Sequence, residues 1–519
     1  MYKLGIDVGG TNTDAVLIDE NLRVVADIKY PTSGDVYEGI LGAVRRVLEV
    51  SGVDRTQIRQ AMLGTTQCTN AIVERKNLAP FGILRIGAPA SLGIRPMVDW
   101  AEDLQAICAG SAVVGGGFEY DGKELAPFDR DAAAAFFRDM GEKGVKSVAI
   151  SCVFSTVRND HEREAAALCR EILGEDVHIS VSSEIGSMGL IERENATILN
   201  AALWKVAERF TEGFAQSLAD EGITQADVYL SQNDGTLMTM DHARRYPILT
   251  VACGPTNSIR GASYLSSLKN AIVLDVGGTT TDLGVIQNGF PRESSVAVTI
   301  GGVRTNFRMP DVLSIGLGGG SIVRQRPDGT VTVGPDSVGY EITQKAKVFG
   351  GDVLTATDIA VRLGMADLGD PALVADVPED LARSALDAIR TLVEDAIDAM
   401  KVSSGDSDVI LVGGGSIVLP EDLAGAAQVV KPDHFGCANA IGSAISKVSG
   451  TFEKLMNYDE LPRDQALAQA KAEAVELAVA AGAVRDTVEI IEVEDVPLAY
   501  YPGNTNRVKI KAAGDLCTA

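Results

Sequence analysis

The chain has 519 residues, and 46 Lys plus Arg against 71 Asp plus Glu leave a net charge of −25. That charge excludes a nucleic-acid backbone or an anionic membrane face as partner, since both call for a basic footprint. Seven scattered cysteines without a C-x-x-C pair, four histidines without ligand spacing and no apolar run of roughly 18 residues point to a reduced, cytoplasmic protein.

In chain order, the apolar run Leu4-Gly5-Ile6 reads as a strand that ends in Gly9-Gly10. Residues 36–50 place apolar side chains at helical spacing, and 131–143 repeat that pattern. Between them, 80–130 is rich in glycine and proline and reads as an inserted subdomain or lid. Residues 146–151 read as a strand, 161–173 as a helix, 192–219 as a long helix and 227–230 as a strand. Further on, 383–402 reads as a helix and 408–412 as a short buried strand ending in Gly413-Gly414-Gly415-Ser416. Residues 463–484 are Ala-rich and helical, and 487–511 read as a final strand pair. Helices and strands that alternate in this way predict layered α/β architecture.

One internal repeat stands out. LGIDVGGTNTDAVLI at 4–18 returns as IVLDVGGTTTDLGVI at 272–286, and the shared core D-V-G-G-T-x-T-D is offset by 268 residues. Each copy reads as strand, glycine turn, strand. The turn offers backbone N–H groups to an anion and the threonines add hydroxyl donors, so phosphate can be held without lysine. Asp7 and Asp275 lead the two copies at strand ends, suited to Mg²⁺ or its water shell. Two such hairpins facing each other would clamp a triphosphate, which reconciles an acidic protein with an anionic ligand.

With these residues the chain resembles the actin, hexokinase and Hsp70 ATPase superfamily, and within it the hydantoinase A and 5-oxoprolinase family. The resemblance rests on Gly5 to Asp14, Gly64-Thr65-Thr66, Ser183-Glu184-Ile185-Gly186, Asp275 to Asp282 and Gly318-Gly319-Gly320-Ser321. It implies a two-lobed actin/hexokinase-like (ribonuclease H-like) fold with duplicated phosphate hairpins and a nucleotide cleft between the lobes. The lobes are expected at 1–190, with the insertion about 80–130, and at 191–450, with a short appendage at 451–519. By the resemblance, Asp7, Gly9, Gly10, Thr11, Asn12 and Thr13 form the first phosphate element. Asp275, Gly277, Gly278, Thr279 and Thr280 form the second, Asp7 and Asp275 being the metal ligands. Gly413, Gly414, Gly415 and Ser416 resemble the adenosine turn, and 438–444 resembles a small-residue hinge helix. The implied cofactors are ATP and Mg²⁺. The implied reaction phosphorylates the oxygen of a cyclic amide, such as a hydantoin, 5-oxoproline or lactam, so that water can open the ring. The implied partner in an oligomer is a hydantoinase B-like or other subunit.

The stretches Cys253-Gly254-Pro255-Thr256-Asn257 and Ser231-Gln232-Asn233-Asp234-Gly235 depart from the family pattern and point to a different substrate. Asp234 reads either as a catalytic general base or as a turn cap, and Cys253 either as a nucleophile or as a small buried residue. Arg75 reads as an anion ligand or a surface ion pair, and Asp311 and Arg308 as residues near the cleft. Two other functions fit the same cleft: a small-molecule kinase, and an ATPase that reactivates or assembles a partner enzyme.

Overall fold

The computed structural model describes residues 1–9, 12–31, 36–294, 298–307, 309–401, 403–499, 501 and 503–517. The N-terminal apolar run forms β1 (Tyr2–Val8), and the chain reverses into β2 (Asn12–Asp19) and β3 (Val24–Pro31). Helix α1 (Val36–Ser51) buries Ile40, Val44, Val47 and Leu48 along one stripe, as its spacing requires. Strand β4 (Ile58–Thr65) then lies parallel to β1, with Asp7 opposite Gly64.

Four strands make a separate parallel sheet in the order β6-β5-β7-β8: β5 (Phe81–Ala88), β6 (Cys108–Gly115), β7 (Ser147–Cys152) and β8 (His178–Val181). Parallel pairing needs long crossovers, and the helices Arg130–Glu142 and Asp160–Leu173 supply two of them. The insertion expected at 80–130 is therefore only the first half of a subdomain that runs to residue 181.

Helix α2 (Leu190–Asp220) leads to β9 (Asp227–Ser231), which pairs parallel to β4, and β10 (Thr236–Thr239) turns back beside it. The division expected at 190/191 thus does not coincide with the sheets, because this ladder continues the first lobe past it. Helix α3 (Cys253–Ser266) opens the second lobe. There β11 (Ala271–Val276), β12 (Thr281–Gln287) and β13 (Phe290–Pro291) form the second meander. Two small ladders follow, β14 (Val298–Ile300) with β15 (Val303–Thr305), and, beyond β16 (Val312–Ile315), β17 (Ser321–Gln325) with β18 (Val331–Ser337). Helix α4 (Glu379–Met400) buries Ile389, Val393 and Ile397 against this sheet, ahead of β19 (Ser407–Val412) and β20 (Ala426–Val430).

The two sheets have one plan. Strands run β3-β2-β1-β4-β9 in the first and β13-β12-β11-β19-β20 in the second, an antiparallel meander followed by two parallel strands. This is the expected ribonuclease H-like architecture, present twice.

The chain then returns to the first lobe. Helix α5 (Ala438–Ile445) leads into β21 (Lys447–Asn457), helix α6 (Arg463–Ala480), β22 (Glu489–Pro497) and β23 (Thr505–Gly514). The expected helix and strand pair are present, but they are no separate appendage. Strand β21 pairs with β10, so the first sheet has nine strands among the described residues. Ala466, Ala470, Ala474 and Ala478 form the stripe by which α6 lies close on these strands.

Helices α3 and α5 cross between the lobes with almost no separation. A Cβ at Gly261 would stand 1.8 Å from the Ala438 carbonyl oxygen, and one at Gly442 would stand 1.9 Å from that of Asn257. Each helix thus receives the other's backbone at a glycine. Among the described residues no helix is long and apolar enough to cross a membrane.

Candidate functional site

The repeat produces two antiparallel strand pairs in matching register, Asp7 opposite Asp14 and Asp275 opposite Asp282. Gly9 N–H donates to the Asn12 carbonyl at 3.0 Å, and Gly277 N–H to that of Thr280 at 2.9 Å. These two amides close the turns, and both glycines line the cleft between the lobes. Gly10 and Thr11, expected in the first phosphate element, lie outside the described residues. In strand register, Asp7 faces Asp14, which faces Lys29. In the second lobe Asp275 faces Asp282, which faces Ser314. Two cross-strand rows therefore meet at the cleft, Asp7–Asp14–Lys29 and Asp275–Asp282–Ser314.

The cleft has a volume of about 500 Å³ and is lined from both lobes, including Asp7, Asp14, Lys29, Asp275 and Asp282. Asn12, Gly278 and Thr280 line it too, as do the Gly413–Gly415 turn and the start of α3 at Gly254 and Pro255. Thr279 is exposed at the second hairpin tip. Thr13 is fully buried, on the opposite face of β2 from Asn12 and Asp14. Its expected hydroxyl donation to phosphate is thereby corrected, and Thr281, its counterpart, instead donates to the Leu317 carbonyl at 2.7 Å.

Strand-end glycines allow the carboxylates to sit where they do. A Cβ on Gly64 would lie 2.3 Å from Asp7 Oδ1, and one on Gly413, at φ 82°, would lie 2.3 Å from Asp275 Oδ1. The Gly318–Gly320 loop rests on the second hairpin, with Gly319 N–H donating to Gly277 and Gly320 N–H to Gly278. Ser416 is almost fully buried beneath the turn and does not line the cleft, unlike its three preceding glycines. The adenosine-turn expectation is therefore narrowed to Gly413, Gly414 and Gly415.

Asp7 is held from outside its own sheet. Asn439 Nδ2 on α5 donates to Asp7 Oδ2 at 2.9 Å, and Asn257 Nδ2 on α3 lies 3.4 Å from Oδ1. Burial, with Asp14 and Asp275 nearby, pushes the Asp7 carboxyl up to about 7 against the pull of these two amides. Burial raises Asp275 despite a 2.5 Å hydrogen bond from Ser258. Asp282 is raised to about 6, again mainly by burial, and accepts from Ser314. Asp14 is raised by burial while Lys29, 2.9 Å from both its oxygens, draws it down. Four carboxylates thus stand against one ammonium, a donor set with room for a cation. Among the described residues no three His, Cys, Asp or Glu side chains converge as a ready-made metal cage.

The other candidates lie elsewhere. Asp234 caps the β9–β10 turn through Thr236 and pairs with Lys511 at 2.9 Å. It lines a second cavity of about 880 Å³, not the cleft. The structure therefore does not bring it to Asp7 and Asp275. Cys253 is buried against the Thr65 backbone, and its thiol is pushed far up by burial, so it is a packing residue. Arg75 pairs with Asp103 at 2.6 Å and donates to backbone carbonyls, including that of Gly301. Asp311 pairs with Arg292 away from the cleft, and Arg308 is outside the described residues. Sequence reasoning did not link Lys29, Asn257, Asn439 or Ser258 to the carboxylates, although Asn257 stood in the departing stretch and Asn439 in the hinge helix. For Lys29 a signal existed, since hairpin register puts a residue of the third strand opposite Asp14; for the other three none did.

A family model described as the hydantoinase/oxoprolinase N-terminal region matches residues 3–173, and one described as hydantoinase/oxoprolinase matches residues 193–370. Caprolactamase subunit alpha of Pseudomonas jessenii is 28% identical over 76% of this chain and 59% of its own length. Acetone carboxylase beta subunit of Xanthobacter autotrophicus is 24% identical over 76% of this chain and 58% of its own. The chain thus spans less than two thirds of either relative. The crystal structure of ATP-dependent caprolactamase from Pseudomonas jessenii superposes with a TM-score of 0.77 at 21% identity, covering 99% of this chain and 87% of that one.

Proposed function

Because the chain belongs to the hydantoinase/oxoprolinase family, we propose that it is an ATP-using hydrolase, or the ATPase subunit of one, that activates a cyclic amide. The observation that carries this reading is the pair of matching rows, Asp7–Asp14 and Asp275–Asp282, facing one cleft from two sheets of the same plan.

The exposed tip at Gly278, Thr279 and Thr280 offers amide and hydroxyl donors to phosphate. Helix α3 begins at the cleft without a side-chain cap, so its first N–H groups add to the same end. Asp7 and Asp275 would hold Mg²⁺, which when bound neutralises charge between phosphate oxygens. Asn257, Asn439 and Ser258 orient these carboxylates and favour their charged forms. An amide is a poor electrophile. Transfer of the γ-phosphoryl group to its oxygen leaves ADP, and water then adds at the amide carbon. The C–N bond breaks as the proton of the new hydroxyl goes to the departing nitrogen, and a second water releases phosphate from the resulting acyl phosphate. Positioning and charge stabilisation are what such a transfer requires.

Both relatives are named as subunits, which supports a partner subunit for this chain and ring opening completed there. The likeness to an acetone carboxylase subunit supports a second reading, in which the activated oxygen belongs to a substrate destined for carboxylation. Phosphate release should be measured with Mg²⁺ and ATP against hydantoins, 5-oxoproline and lactams, and separately against ketones with bicarbonate. Stimulation by a cyclic amide, lost in Asp7→Asn and Asp275→Asn, supports the first reading. Stimulation only by ketone and bicarbonate replaces it with the second, and failure to bind ATP removes both.

A further inference from the structure

The two rows differ at their third position, where the first lobe has Lys29 and the second has Ser314. We propose that Lys29 is the residue that grips the diphosphate part of a bound nucleotide and so fixes which way the nucleotide lies in an otherwise two-fold symmetric cleft. This assignment rests on the nucleotide reading given above.

Among the described residues Lys29 is the one basic side chain lining the cleft. Its ammonium stands 2.9 Å from both oxygens of Asp14, and an ammonium has three hydrogens to donate. The side chain is 38% exposed, whereas Asp14 is 5% exposed, so the nitrogen is anchored from below and still open to the cleft. It also reaches the opposite lobe. Its Cε lies 3.9 Å from where a Cβ would stand on Gly414 and 3.5 Å from the same point on Gly436.

The two residues that precede it on the strand are also tied to that lobe. Asp27 Oδ1 meets His434 Nδ1 at 2.9 Å, and the Cys437 thiol donates to the Ile28 carbonyl at 3.7 Å. Three consecutive residues of β3 thus span the seam beside the Gly413–Gly415 turn. An ammonium there lies beside the turn that would take the nucleoside, close to the first two phosphates. The exposed tip of the second hairpin and the start of α3 are left for the terminal one. A compact point charge suits this task, since it needs no fixed fork geometry. It also offsets phosphate charge that the crowded carboxylates would repel.

Equilibrium titration of the wild type, Lys29→Met and Lys29→Arg with ATP, ADP and adenosine tests the assignment. Lys29→Met should weaken ATP and ADP alike by about tenfold or more, the size of a hydrogen bond to a charged group, with adenosine changed less than about twofold and Lys29→Arg intermediate. Asp14→Asn, which frees the ammonium but keeps it, should retain most ADP affinity. Equal ADP affinity in Lys29→Met and wild type overturns the proposal. So does an equal loss for all three ligands, which would mark Lys29 as purely structural. If the wild type itself binds neither ATP nor ADP, the nucleotide reading has failed; if it binds them and Lys29→Met does too, only the Lys29 assignment has.

Discussion

Asn439 donates to Asp7 at 2.9 Å across the seam between the lobes, although the two residues lie 432 positions apart in the chain. The carboxylate at the centre of the first row is therefore oriented by the helix that carries the chain back from the second lobe.

Asn439→Ala should cut ATP turnover by roughly 10- to 100-fold, the range expected for one hydrogen bond to a charged group. Because the amide favours the ionised carboxylate, the acid limb of the rate profile should also move to higher pH. Steady-state rates measured across pH check both effects; an unchanged profile would detach Asn439 from Asp7 ionisation.

The stability of the ligand-free protein should fall as pH rises from about 5 to 8. An unfolded aspartate titrates near about 3.9, while folded Asp7 keeps its proton up to about 7. Between those values the folded state binds the extra proton, so its contribution is full below the unfolded pKa and is lost as pH passes the folded one. Asp282, raised to about 6, acts in the same direction. Melting temperatures across this window should decline less steeply in Asp7→Asn, and parallel curves would contradict the assignment.

Gly442→Ala should destabilise the fold by about 1–3 kcal/mol or more, the usual cost of overpacking, because its Cβ would meet the Asn257 carbonyl at 1.9 Å. Forcing α3 and α5 apart also moves both amides that hold Asp7, so turnover should fall by more than the folded fraction does. Denaturant titration alongside activity per folded molecule separates the two losses.

Alkylation of the native protein should label Cys517 rapidly, since it is the exposed cysteine, while Cys253 and Cys68 stay protected by burial. Cys253→Ser should keep activity within about threefold, as expected of a tolerated packing substitution and not of a lost nucleophile. Mass spectrometry of timed alkylation and a rate assay of the variant decide this.

What could be read from the sequence was whatever one strand and its turn contain. D-V-G-G-T-x-T-D spells out a hairpin locally, so the two carboxylates, their turns and the duplicated lobe were all legible at an offset of 268. Lys29 was legible only by extending the hairpin register to a third strand, which the motif itself does not contain. Asn257 and Asn439 were not, because their convergence on Asp7 depends on two helices crossing at glycines. Thr13 misled for a related reason. Its spacing matches a phosphate motif, but strand alternation places it opposite Asn12 and Asp14. The division expected at 190 missed a parallel ladder, β4 with β9, whose partners are 167 residues apart at Gln60 and Asp227.

The nine-stranded sheet imposes an order of events during synthesis. Strands β1 to β4, β9 and β10 are made first, but their sheet also needs β21, β22 and β23, and these three emerge only after the whole second lobe has left the ribosome. The second lobe draws its sheet from a continuous stretch of chain, so it can fold while the first is still incomplete. Long-range pairing is slow and leaves strand edges open meanwhile. The nascent first lobe is thus the half of the molecule on which a chaperone would be expected to act.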